Sequence, residues 1–288
     1  MGTEAAVPWA GSGALVEGDG RTHIHTALMG ASLVQPGLVA ATQGEALVAM
    51  LPTVTVLAIG GGSIMDRGAP AVLPLVEELV EARRAYELVV GVSGGARLRH
   101  VFSVALDLGL PTGGLAQLAG ACEEQNVAML QQLLARHNAV MLKRDDFADV
   151  ALYLRGGMLP LVISVPPYHY WEPPPQSGRL PENGSDLGML LTAEALGAPR
   201  LILLKDQDGL YDADPVDEPT ARLIPEISAG ALLAAGLPSL PFDRAMVETL
   251  QHTRFVREVV LINGLRRGAL LAALRGEAVG SRILAGGV

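Results

Sequence analysis

Residues 53–68, TVTVLAIGGGSIMDRG, decide how the rest of the chain is read. The stretch begins with a β-branched and apolar run, residues 54–59, that contains no turn residue. Such a run predicts a strand buried on both faces. Gly60, Gly61 and Gly62 follow at once, and an amphipathic segment opens near Ala69. A strand running into a glycine turn and then a helix makes an anion site. Glycine lets backbone N–H groups come close to a ligand, and a helix N-terminus adds partial positive charge. The same residues also suit a plain tight connection, so the neighbouring units must decide.

Those units repeat the pattern. Val72, Leu75, Val76, Leu79 and Val80 recur at steps of three and four, with Glu77, Glu78, Glu81 and Arg84 off the stripe. That spacing predicts a surface helix lying on a sheet, and Pro70 suits its first turn. Residues 88–92 predict a second buried strand, ending in Ser93-Gly94-Gly95, with helical spacing resuming over 97–108. Residues 114–136 predict a long helix, with Val127, Leu130, Leu133 and Leu134 inward and Glu123, Glu124 and Gln125 on the polar side. Further strands are expected at 140–142, 161–165, 201–204 and 259–262, and a helix at 186–196, N-capped by Ser185 or Asp186. Behind the third of these runs lies Lys205-Asp206-Gln207-Asp208-Gly209-Leu210-Tyr211-Asp212-Ala213-Asp214. A lysine and several carboxylates after a buried strand suit phosphates and a divalent cation; a solvated, turn-rich loop is the other reading.

Strands alternating with helices give the α/β class with a mainly parallel sheet. Residues 51–288 show no break in composition and are expected to form one domain, with residues 1–50 a partly mobile N-terminal arm. The arm's His23 and His25 are read as solvated side chains, and 38–50 as a helix. One segment stands apart: residues 166–186, PPYHYWEPPPQSGRLPENGSD, can be neither helix nor central strand. A loop of that length inside a domain is functional or a linker, and its aromatics argue against a linker.

Composition excludes several classes. The 21 basic and 30 acidic residues give a net charge of −9 with no basic run, which argues against nucleic acid or an anionic membrane as partner. A single cysteine, Cys122, precludes an internal disulfide and any cysteine-rich metal site. No apolar run reaches membrane-spanning length, and the first 20 residues lack a signal-peptide pattern, so a cytoplasmic location is expected.

Taken together, the phrases fall in a familiar order. The glycine turn followed by Met65-Asp66-Arg67-Gly68, the ARLRHV run at 96–101, LAQL at 115–118, Gln125-Asn126, Pro166-Pro167-Tyr168, KDQDGLY at 205–211 and Asn263-Gly264-Leu265 resemble the amino acid kinase superfamily. The likeness runs from about residue 30 to the C-terminus, on the side of the bacterial uridylate kinases. Within them it is nearest the molybdenum-storage branch, and its β rather than its α subunits. The resemblance implies a three-layer αβα sandwich with a nucleotide over the C-terminal strand ends. Gly60, Gly61, Gly62, Ser93, Gly94 and Gly95 would line the phosphates of ATP. Lys205 would touch phosphate, with Asp186 opening the helix behind it as the other catalytic candidate. Asp206, Asp208, Gly209, Tyr211 and Asp214 would surround base, ribose or Mg²⁺. It also implies a hexameric cage of this chain, alone or with a sister subunit, holding molybdate or tungstate as polyoxometalate clusters. His169 and Glu172 in the proline-rich loop become cluster contacts.

One departure matters. The family's first motif places a lysine where this chain has Ala58. Phosphoryl transfer rests on positioning and charge neutralisation, so a lost charge of this kind costs on the order of 3–4 kcal/mol. ATP binding with weakened transfer is expected unless Arg67, Arg97 or Lys205 supplies the charge. A small-molecule kinase acting on a nucleoside monophosphate or a carboxylate, and a shell subunit with a decayed site, are the alternatives.

Overall fold

The computed structural model describes residues 15–18, 21–24, 48–166, 180 and 183–286. The chain divides into two units, 1–48 and 49–288. In the first, β1 (Leu15–Gly18) pairs antiparallel with β2 (Arg21–Ile24). The arm thus holds a hairpin that the sequence reading passed over. Its signal is the Asp19-Gly20 dipeptide between two short runs. The proposed helix at 38–50 lies almost wholly outside the described residues, as do His169 and Glu172.

In the second unit strands and helices alternate from the start. β3 (Thr55–Ile59), α1 (Ala69–Ala82), β4 (Leu88–Val92), α2 (Gly95–Asp107), α3 (Thr112–Leu134), β5 (Ala139–Met141), α4 (Val150–Arg155), β6 (Leu159–Ile163), α5 (Ser185–Leu196) and β7 (Arg200–Lys205) form the first part. A two-stranded antiparallel ribbon, β8 (Leu210–Tyr211) with β9 (Leu223–Ile224), follows. β10 (Glu226–Ser228), α6 (Ala229–Ala235), α7 (Arg244–Leu250), β11 (Glu258–Asn263), α8 (Ala269–Leu274) and β12 (Ser281–Leu284) complete it.

The central sheet runs β10-β12-β11-β7-β3-β4-β6-β5. Its six strands from β11 to β5 are parallel, while β12 meets β11 antiparallel and β10 beside it runs with β12. Alternate strand residues point to opposite faces. Val56, Ala58, Val89, Leu201, Leu203, Val259 and Leu261 therefore pack against α5, α6 and α7 through Met189, Leu190, Leu232, Met246 and Leu250. Leu57, Ile59, Val90, Val92, Ile202, Leu204 and Ile262 pack against α1, α3 and α8 through Leu75, Leu79, Val127, Leu130 and Leu270. Two apolar layers around one sheet make the three-layer αβα sandwich.

Two polar assignments reverse. Glu123, expected on the wet side of α3, is 0% exposed, and Leu133, expected inside, is 43% exposed. Glu78 is likewise buried although it lies off the stripe of α1. Each of these carboxylates is drawn inward by backbone amides from a distant segment. Glu78 accepts the N–H of Gly268 at 2.5 Å and of Leu270 at 3.2 Å, at the start of α8. Such partners offset the cost of burying charge, and they are invisible to a helical period.

Candidate functional site

The parallel strands β3, β4 and β7 are neighbours, so their C-terminal ends come out side by side. The turn after β3 is stitched to both flanks. Gly60 N–H donates to Leu204 O at 3.0 Å, and Gly61 N–H to Ser93 Oγ at 2.7 Å. A Cβ at Gly61 would stand 2.3 Å from the nitrogen of Gly95 and 2.4 Å from the oxygen of Ser93. Only glycine allows the two turns to touch in this way. Lys205 lies on the other side, its side chain 3.3 Å from where a Cβ at Gly60 would be.

The helix expected to open near Ala69 does so, and a short connection separates it from the glycines. After Gly62 the chain makes a short 3₁₀ turn, Met65–Arg67, and α1 starts at Ala69. The helix that begins at a glycine turn is α2, with Gly94 as its cap and Gly95 at φ +71°. The 3₁₀ turn clasps the site with its own charges. Asp66 Oδ2 accepts the N–H of Ala96 at 2.5 Å, and Arg67 pairs with Asp206 at 2.7 Å. A carboxylate of the protein thus occupies the helix N-terminus, where backbone amides favour an anion.

Behind the turns lies a network of acids. Lys205 Nζ binds both oxygens of Asp186, at 2.8 and 3.0 Å, in a pair that is largely withdrawn from water. Neither Ser185 nor Asp186 caps α5. Its first amides, Asp186 and Leu187, donate to Asp243 Oδ2 at 3.0 and 3.2 Å, so the cap arrives from the loop before α7. Gly184 makes room for it, since a Cβ there would stand 2.3 Å from that oxygen. Burial, and then the neighbouring charge of Asp186, pushes Asp243 up to about 6. Glu123 Oε2 accepts the N–H groups of Ser164 and Val165, each at 2.7 Å, and Oε1 the hydroxyl of Ser185 at 2.5 Å. One carboxylate therefore holds both ends of the proline-rich segment. Burial raises Glu123 to about 7 against the pull of those three donors. Asn126, also fully buried, donates to Ser93 O at 2.6 Å and accepts from Arg97.

The sequence-chosen residues divide accordingly. Gly60, Gly61, Gly62, Ser93, Gly94, Gly95, Lys205, Asp186 and Asp206 gather at one edge. Asp208 is turned toward the end of β11, where Asn263 Nδ2 donates to it at 2.7 Å and Arg266 pairs with it. Gly209 packs against Ser281 and Gly280, and Asp214 accepts the N–H of Val216 in its own loop. Asp243, Glu123, Asn126 and Asp66 were missed. The Asn126 and Asp66 positions lie in phrases already singled out, but Asp243 has no sequence signal that ties it to α5.

The turns bring together glycines, backbone amides and one lysine, group types that bind phosphates. The site is poor as an all-protein metal cage, since among the described residues no cluster of three His, Cys, Asp or Glu could hold an ion. Mg²⁺ carried in on phosphates needs only one or two carboxylates and keeps several waters.

Residues 53–263 match the model of the Amino acid kinase family. The chain belongs to the amino acid kinase family. Among its members the chain is 42% identical over 258 residues to molybdenum storage protein subunit beta of Azotobacter vinelandii, covering 90% of this chain and 96% of that one. It is 24% identical over 238 residues to a uridylate kinase of Methanobrevibacter smithii, covering 80% and 98%. Among solved structures, the uridylate kinase of Archaeoglobus fulgidus superposes with a TM-score of 0.64 at 19% identity, over 80% of this chain and 99% of the other. That likeness gives the amino acid kinase fold, reached here from the sheet order and the two helical layers. The family's lysine position, Ala58, faces α5. It lies beside Gly91 in the sheet, and a Cβ on Gly91 would stand 2.1 Å from Met189 Sδ. Two of the smallest residues side by side leave room that Met189 fills.

Proposed function

We propose that this chain is the ATP-binding subunit of an oligomeric store for molybdate or tungstate. The likeness to the storage β subunit spans 90% of this chain and 96% of that subunit, which one shared motif could not produce, and this observation carries the reading. The touching glycine turns, flanked by Lys205 and backed by Asp186, suit the phosphates of ATP with Mg²⁺. Ala58 under Met189 fits a site that binds nucleotide and transfers phosphate slowly. The assembly would be a hexameric cage in the cytoplasm, of this chain alone or with a sister subunit. Polyoxometalate clusters would lie inside it, with His169 and Glu172 as cluster contacts. No described helix is long and apolar enough to cross a membrane.

Family membership favours one other reading, a kinase for a nucleoside monophosphate or a carboxylate substrate. Native mass and elemental analysis of protein from cells grown with molybdate or tungstate separates the two. The storage reading expects many metal atoms per assembly. Metal content no higher than in unsupplemented cells, together with ATP turnover on one acceptor of a panel, would replace it by the kinase.

A further inference from the structure

Among the described residues, four cations near the strand ends are already engaged. Lys205 is held by Asp186, Arg67 by Asp206, Arg97 by Asn126 and Arg266 by Asp208. A fifth is Arg99, on the second turn of α2. A helical side chain leans back over the turn that precedes it, which carries Arg99 toward the glycines. Its Nη2 lies 2.9 Å, and its Cζ 3.7 Å, from the point a Cβ at Gly62 would occupy. Among the described residues it has neither a hydrogen bond nor an ion pair. Asp66 Oδ2 is near the same point, at 3.8 Å, while bonded to Ala96 N–H. The spot thus joins an uncommitted guanidinium, a glycine that keeps the space beside it open, and a helix N-terminus on which a carboxylate now sits.

We propose that Arg99 is the residue that grips the terminal phosphate of a bound nucleoside triphosphate, supplying from α2 the charge that position 58 lacks. This rests on the nucleotide reading given above. A guanidinium suits the task better than a second ammonium. It stays charged at any working pH, and its planar fork binds two phosphate oxygens at once. The place fits as well. Gly62 is the last residue of the first glycine turn, so a phosphate chain laid across Gly60 to Gly62 ends beneath Arg99. A side chain at position 62 would meet the Arg99 head, which would have to swing aside. The grip binds and orients phosphate and needs no bond-making step.

The test is calorimetry with MgATP and, separately, AMP on wild type, Arg99→Ala and Arg99→Lys, with thermal melts of each. Arg99→Ala is expected to weaken MgATP about 10- to 100-fold, as for a lost charge-assisted contact, while AMP affinity and melting temperature hold. Arg99→Lys should fall between. Unchanged MgATP affinity in Arg99→Ala overturns the assignment, and so does an equal loss for MgATP and AMP. If wild type itself binds no MgATP, the nucleotide reading fails and the assignment fails with it; the two failures are told apart by the wild-type titration alone.

Discussion

Replacing Glu123 by glutamine tests whether a buried acid, and not a buried carboxylate, is what the fold wants at that place. The side chain is 0% exposed and its two oxygens receive three donors. Glutamine can keep all three contacts. Its oxygen accepts from Ser164 and Val165, and its NH₂ donates to Ser185 Oγ, which turns to accept. What changes is titration. The folded protein holds the Glu123 carboxyl up to about 7, against an ordinary value of 4.5, chiefly because burial penalises the charge. A raised acid binds a proton that the unfolded chain has already lost. The stability it contributes is complete below pH 4.5 and lost as pH rises to about 7. At about 1.4 kcal/mol per pH unit the whole loss is about 3 kcal/mol. Asp243 slopes the same way between 3.8 and about 6, so wild type alone would not separate them. The difference between Glu123→Gln and wild type does. In urea titrations at fixed protein concentration, the variant should gain up to about 3 kcal/mol on wild type between pH 4.5 and pH 8. A difference that stays flat across that range, or a variant clearly weaker than wild type at pH 8, refutes the reasoning.

Two further substitutions probe the other conclusions. Ala58→Lys should cost about 2–4 kcal/mol of stability, read as a lower urea midpoint, because the new chain must pass Met189 within an apolar layer. Adding Met189→Ala should recover part of that loss. Asp243→Ala should cost about 1–2 kcal/mol, as for a lost helix cap. Its signature in hydrogen exchange is faster exchange at Asp186 and Leu187 than at the far end of α5, with Asp243→Asn restoring much of the protection.

Where a feature was local, the residues announced it. The apolar runs of β3, β4 and β7 and the stripe of α1 follow directly from side-chain period, and the glycines after them mark where chain segments must touch. The stretch from 224 to 250 was not legible: β10 has three residues, α6 and α7 seven each, too short for a period to stand out. Glu123 shows a deeper limit. Its helical position reads as polar, and only the arrival of Ser164, Val165 and Ser185 makes it a core residue. The candidate site divides the same way. Its glycines and Lys205 stand in motifs, and Arg99 lies in the ARLRHV run, but that its side chain is uncommitted shows only when its neighbours prove to be already engaged.

The strand order has a consequence for synthesis. β3 is flanked by β4, which follows soon after it, and by β7, which starts 141 residues beyond its end, from Ile59 to Arg200. At roughly 5–20 residues per second, a ribosome leaves that side of the TVLAI strand unpaired for roughly 7–30 seconds. The backbone groups that later bond to β7 are open to other nascent chains throughout that interval. A growing polypeptide of this kind is a natural client for a holdase, and slow decoding between β6 and β7 would lengthen its exposure.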